Sequence, residues 1–192
     1  MANFRFPVLF LGHGSPMNIV ADNPFTQMLR NYSSAIPTPK AVVIVSAHWQ
    51  TSGSYITSSE NPEQIFDFYG FPPELYRVYY TPAGLSSLAT HIHSAIPEIQ
   101  VDSRRGIDHA GWTLMHLLYP KASVPQLQIS LNVNLSPREH FELGRKLAFL
   151  RDEDVLVIGS GNLIHNLGLV DFDDSAKWNY PDISDTIKRP FH

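Results

Sequence analysis

The sequence contains no cysteine. That excludes disulfides, thiolate zinc sites and a cysteine nucleophile, and it fits a cytoplasmic protein. Charged residues make up only 17% of the chain, below the ~25% usual for soluble domains. Lys and Arg nowhere form a run, and the formal net charge is −4. Nucleic acid is therefore not an expected partner, because gripping phosphates takes a clustered basic surface. No stretch reaches the ~20 apolar residues of a membrane helix, so no membrane association is expected. The apolar run from Phe6 to Leu11 is too short for a signal-peptide core. Also missing are a Gly-x-Ser-x-Gly elbow, a Gly-Lys-Ser/Thr phosphate loop and a His-Glu-x-x-His helix.

What the chain has instead is 15 Pro, 9 His, 11 Phe and 8 Tyr in 192 residues, 43% of them hydrophobic. That length suits one domain with a real core, taken here as a single catalytic domain over residues 1–192. The unusual residues point to long structured loops and a site built from imidazoles.

Val8-Leu-Phe-Leu11 reads as a short buried strand that stops at Gly12-His13-Gly14, with Ser15 and Pro16 next. Glycine on both sides lets the chain turn sharply beside His13. Alone, this is an ordinary turn carrying a histidine. Asn23-Pro24 then starts a helix over Phe25 to Tyr32. The β-branched run Ala41-Val-Val-Ile-Val-Ser46 reads as a strand buried on both faces, followed at once by His48 and Trp49.

Asn61 to Pro82 is a long aromatic loop carrying Phe66, Phe68, Tyr69, Phe71, Tyr76, Tyr79 and Tyr80. Connections of that length tend to be functional, and a pocket wall and plain loop packing fit it equally. Gly84 to Ala95 reads as a helix whose His91 and His93 lie on different faces at the surface.

Asp108-His109 precedes the helix Trp112 to Leu118, where His116 reads as a packed core residue. Gln126 to Leu131 is a further strand, and Ser136-Pro-Arg-Glu139 is a capping box opening a helix to Leu150. Val155-Leu-Val-Ile158 ends at Gly159-Ser160-Gly161-Asn162, and the next turn brings His165. The Gly159-Ser-Gly161 turn lacks the third glycine of a dinucleotide loop. The alternation implies an α/β fold, a mostly parallel or mixed sheet flanked by helices.

His13, His48 and His165 thus each follow a strongly apolar strand. Open α/β sheets bind ligands beyond the carboxyl ends of their strands, and neutral imidazole suits iron, zinc or copper. The three histidines together read as a metal site. His109, beside Asp108, reads either as an acid/base group oriented by a carboxylate or as a loop-fixing pair.

Five segments carry a resemblance. Leu11-Gly-His-Gly-Ser-Pro-Met-Asn18, Ser46-Ala-His-Trp49, Phe66-Asp-Phe-Tyr-Gly-Phe-Pro-Pro-Glu-Leu-Tyr76, Gly106-Ile-Asp-His-Ala-Gly-Trp112 and Gly159-Ser-Gly-Asn-Leu-Ile-His-Asn166 resemble the DOPA-type extradiol ring-cleavage dioxygenases of the LigB superfamily. The match runs in order from about Phe10 to about Tyr180. It implies a LigB-like fold and a nonhaem metal site, with Fe(II) expected for activity and Zn(II) able to occupy it. His13 and His48 are the implied ligands, His165 a ligand or acid/base residue, and His109 a pocket histidine assisting substrate binding or proton transfer. Ser15, Trp49, Phe68 and Tyr69 are the implied substrate-binding residues, and the partners are a catechol and O2. A homo-oligomer is left open.

After Tyr180 the sequence departs from the pattern of relatives, which run on and supply a further ligand. The expectation is a shortened family domain, with Asp182, Asp185 or His192 as the remaining candidates for that ligand. Two other functions are carried as alternatives: a metal-holding module without dioxygenase activity, of Memo type or an inactive fragment, and a tetrapyrrole metal chelatase, whose first strand also ends in a Gly-His-Gly-Ser-like turn but against which Ser46-Ala-His-Trp49 and the Asn162 to Asn166 segment argue.

Overall fold

The β-branched run beginning at Ala41 forms the middle of the sheet. In the computed structural model, which describes residues 4–162, it is part of the long strand β2 (Ala41–Thr51). The other strands are β1 (Val8–Leu11), β3 (Ser54–Thr57), β4 (Ile99–Asp102), β5 (Gln126–Asn132) and β6 (Val155–Ser160). They form one six-stranded sheet in the order β1-β6-β2-β5-β3-β4. β1, β6, β2 and β5 run parallel, β3 meets β5 antiparallel, and β4 is parallel to β3. The sheet is therefore mixed, with a parallel majority.

Successive side chains of a strand point to opposite faces, and here both faces are covered. Val42, Ile44, Leu156 and Ile158 enter a core with α1 (Pro24–Tyr32) and α3 (His109–Leu118). Ala41, Val43, Val155 and Val157 enter a second core with α2 (Ser86–Ala95) and Leu143 of α4 (Pro137–Lys146). A continuous apolar run is what a strand covered on both sides requires. α1 and α4 start where the sequence signals them, whereas α2 begins at Ser86 rather than Gly84 and α3 at His109, three residues before the expected Trp112. Asn23 with Thr26, and Ser136 with Glu139, form reciprocal capping boxes, each contributing about 1 kcal/mol.

Three features differ from the sequence expectation. β1 is not buried: it lies at the edge of the sheet, with Val8 56% and Phe10 60% exposed. Only alternate residues, Leu9 and Leu11, pack on the core. β4 was not legible, because Gln100 and Val101 are exposed and only Ile99 is fully buried. The helix expected to reach Leu150 is α-helical only to Lys146 and tightens into a 3-10 turn over Leu147–Asp152.

The aromatic loop is tied down rather than loose. Gln64 bridges to Ile107, the Ile65 amide donates to Ile107 O (2.8 Å), and the Ile107 amide donates to Glu63 O (2.8 Å). Trp112 Nε1 donates to Ile65 O at 3.0 Å. Phe66, Phe68 and Phe71 pack against the first core. These contacts hold residues 64–68 alongside the start of α3. The same helix sits very close to β5, since a Cβ on Gly111 would overlap the side-chain amides of Gln126 and Gln128.

Candidate metal centre

Leu11 at the end of β1, Ser160 at the end of β6 and Ser46 within β2 lie side by side, and the N-terminus of α3 reaches the same edge. His13 follows β1. The turn that carries it uses Gly14 at φ +66°, a conformation unfavourable for other residues. Asn18 Nδ2 closes the turn by donating to His13 O at 3.0 Å.

His48 lies inside β2 rather than beyond it. The ladder with β5 passes from Ser46 and Ser130 to Gln50 and Leu131, so Ala47, His48 and Trp49 fall in a register shift. Bulges of this kind redirect side chains next to active sites. His109 is the first residue of α3.

The three imidazoles meet. Ring centroids are 4.2 Å apart for His48 and His109, 4.9 Å for His13 and His48, and 5.3 Å for His13 and His109. One ring nitrogen from each lies within 4.8 Å of the others, so the group could hold a metal ion. His13 and His109 are 5% and 4% exposed, whereas His48 is exposed to solvent.

The hydrogen bonds around the rings assign their nitrogens. Ser160 Oγ donates its only proton to Ala110 O (2.6 Å), so at 3.0 Å it accepts from Nδ1–H of His13. Asp67 accepts from His109 Nδ1 (2.8 Å) and the His109 amide (2.9 Å) on Oδ1, and from His48 Nδ1 (3.1 Å) on Oδ2. Burial alone would raise the Asp67 pKa. The bonds from His109 and His48 outweigh it and hold the carboxyl far below the ordinary range. An ionised carboxylate only accepts, so Nδ1 carries the proton on both rings, and in the neutral rings Nε2 carries the lone pair.

Nε2 of His13 and Nε2 of His48 are 3.1 Å apart. Two nitrogens at ~2.1 Å from one ion are ~3.0 Å apart at a right angle and ~3.4 Å apart in a tetrahedron. The pair therefore fits a shared metal ion.

Beneath the rings, Asp108 turns inward. Its carboxylate accepts from Ser46 Oγ (2.9 Å), Gln128 Nε2 (2.9 Å) and Arg105 (3.2 Å), and its side chain is fully buried. The carboxylate that orients His109 is Asp67, not the sequence neighbour. The remaining expected residues are dispersed. Phe68 stacks edge-on against His109 at 5.4 Å. Tyr69 is 92% exposed, and Trp49 is buried under Arg105 at 5.4 Å. Ser15 caps the short 3-10 turn Pro16–Ile19 through the Met17 amide.

His116 is half-buried against Tyr80, as a packing histidine should be. His91 is exposed beside Glu153, and half-buried His93 bonds Ile99 O. His165, Asp182, Asp185 and His192 lie outside the described residues. Asp67 and Ser160 were missed as site residues. The one available signal was a lone aspartate flanked by aromatics in the long loop.

No helix among the described residues is long and apolar enough to cross a membrane. The sequence profile of the catalytic LigB subunit of aromatic ring-opening dioxygenase matches residues 7–179. The chain is 42% identical over 173 residues to a 4,5-DOPA dioxygenase extradiol of Escherichia coli K12, covering 88% of this chain and 64% of that protein. It is 37% identical to a 4,5-DOPA dioxygenase extradiol of Beta vulgaris, covering 81% and 61%. The crystal structure of an uncharacterized protein from Escherichia coli K12 superposes with a TM-score of 0.74 at 37% identity, covering 88% of this chain and 65% of that one. The chain thus spans under two thirds of the length of these relatives. Matched along nearly its whole length in sequence and in fold, the chain belongs to the LigB family of aromatic ring-opening dioxygenases.

Proposed function

We propose that this chain carries the metal site of an extradiol dioxygenase that opens a catechol ring with O2. The observation that supports it most is the convergence of His13 and His48 Nε2 at 3.1 Å, each ring held from behind through Nδ1. Relatives named 4,5-DOPA dioxygenase extradiol support a DOPA-like catechol as substrate.

His13 and His48 would hold Fe(II), with Zn(II) able to take the same nitrogens. When bound, the metal would supply Lewis acidity toward the catechol oxygens and O2. His109, oriented by Asp67, would take a phenolic proton through Nε2. Phe68 forms an apolar wall beside it. His165 remains the candidate for a third ligand or second acid/base group. The overall change needs no other reductant: the ring C–C bond beside the diol breaks, and both oxygen atoms enter a ring-opened semialdehyde acid.

The test is anaerobic loading with Fe(II), addition of a catechol such as DOPA, and then admission of air. The expected result is visible absorbance from a ring-opened product with uptake of one O2 per substrate. Metal bound at His13 and His48 with neither signal would leave a metal-holding module instead.

A further inference from the structure

We propose that Asp67 is a positioning residue that fixes the proton on Nδ1 of both His48 and His109, so that one carboxylate sets a metal ligand and a proton acceptor together. This rests on the metal-site assignment above and adds a residue to which the sequence reading gave no role.

Each carboxylate oxygen is committed to one ring. Oδ1 receives His109 Nδ1 at 2.8 Å and the His109 backbone amide at 2.9 Å, while Oδ2 receives His48 Nδ1 at 3.1 Å. The carboxylate is itself fixed. Its neighbours Phe66 and Phe68 pack on the first core, and Ile65 and Gln64 are bonded to the segment before α3. An imidazole free of such a partner exchanges its proton between the two nitrogens, and only the Nδ1–H form leaves Nε2 able to bind an ion or accept a proton. Outer partners of ligating histidines are commonly worth 10–100-fold in metal affinity. Here two rings depend on the same one.

The geometry also says which ring fails first. In Asp67→Asn, the carboxamide has one accepting oxygen. Two N–H groups of His109 compete for it at the Oδ1 position, so the amide nitrogen falls at Oδ2, facing His48. His48 Nδ1 must then accept, which moves its proton to Nε2 and blocks the atom beside His13.

The experiment is long-range 1H–15N NMR of the imidazoles at alkaline pH, on the full chain stripped of metal and then loaded with Zn(II). Zn(II) affinity is measured in parallel by chelator competition. In the wild type, Nδ1–H on both His48 and His109 is expected, and an Nε2–H on either overturns the proposal. In Asp67→Asn, His48 should switch to Nε2–H, His109 should not, and Zn(II) affinity should fall about 10–100-fold. Unchanged tautomers overturn it even where affinity falls, since Asp67 would then act by charge alone. Should Asp67→Asn not fold, as read by circular dichroism, the wild-type tautomers still decide. A wild type that binds no Zn(II) refutes the metal-site assignment, while its tautomers still report on Asp67.

Discussion

Nε2 of His13 and Nε2 of His48 stand 3.1 Å apart, although one ring follows the edge strand and the other sits in the middle of the sheet. β6 lies between those two strands, and its last residue, Ser160, holds the His13 ring from behind. Replacing both His13 and His48 by Ala should therefore lower Zn(II) or Co(II) affinity by far more than the ~100-fold upper range for outer partners. His91→Ala, at a surface residue that contacts Glu153 and Phe149, should leave affinity within about twofold. Competition titration checks both.

Asp108 should behave as a structural support. Removing it as Asp108→Ala strands Ser46, Gln128 and Arg105 around a fully buried site. Leaving one partner of a buried pair costs about 3–5 kcal/mol. Urea unfolding should show a loss in that range, and a loss under about 1 kcal/mol would contradict the role.

Gly14→Ala places a side chain at φ +66° and within 2.8 Å of Asn18 Nδ2, the atom that bonds His13 O. Strain of about 1–2 kcal/mol is expected, together with weaker metal binding as His13 shifts. A variant with normal stability and affinity would show that the turn can reform without glycine.

His116 provides a pH signature outside the site. Burial, reinforced by the Arg30 charge, lowers its pKa from 6.5, and its Nδ1 is buried with no hydrogen-bond partner among the described residues. Folding therefore disfavours the protonated ring. Above pH 6.5 both folded and unfolded states hold it neutral and it adds no pH dependence. As pH drops below that value the unfolded chain binds the proton first, so stability falls until the folded ring also titrates. Thermal melting from pH 8 to 5 should show a steeper decline for the wild type than for His116→Leu. Parallel curves would contradict the assignment.

Phe68 and Tyr69 separate pocket from surface. Phe68→Ala should raise KM for the catechol about tenfold, the loss of one aromatic contact worth ~1 kcal/mol or more. Tyr69→Ala, at a 92% exposed position, should leave steady-state kinetics unchanged. Equal effects on KM would mean that the loop closes over substrate.

Much of this was legible from local pattern. The run from Ala41 to Ser46 announced a strand covered on both faces, and the capping residues Asn23 and Ser136 announced helix starts. His13 and His48 stood out because each comes just after an apolar run in the sequence. β4 stayed hidden since its burial rests on Ile99 alone, and β1 misled because apolar composition does not reveal an edge position. Asp67 could not be paired with His48 and His109 in advance, because their contact depends on how a long loop docks on α3. Sequence adjacency favoured Asp108, whose side chain the sheet interior claims instead.

The site assignment is tested most directly by a crystal structure of the Fe(II)- or Zn(II)-loaded chain with anomalous data at the metal edge. The expected result is a single strong peak about 2.1 Å from Nε2 of both His13 and His48, with Asp67 still bonded to Nδ1 of His48 and His109. A peak elsewhere, or one that engages His48 through Nδ1, would contradict it.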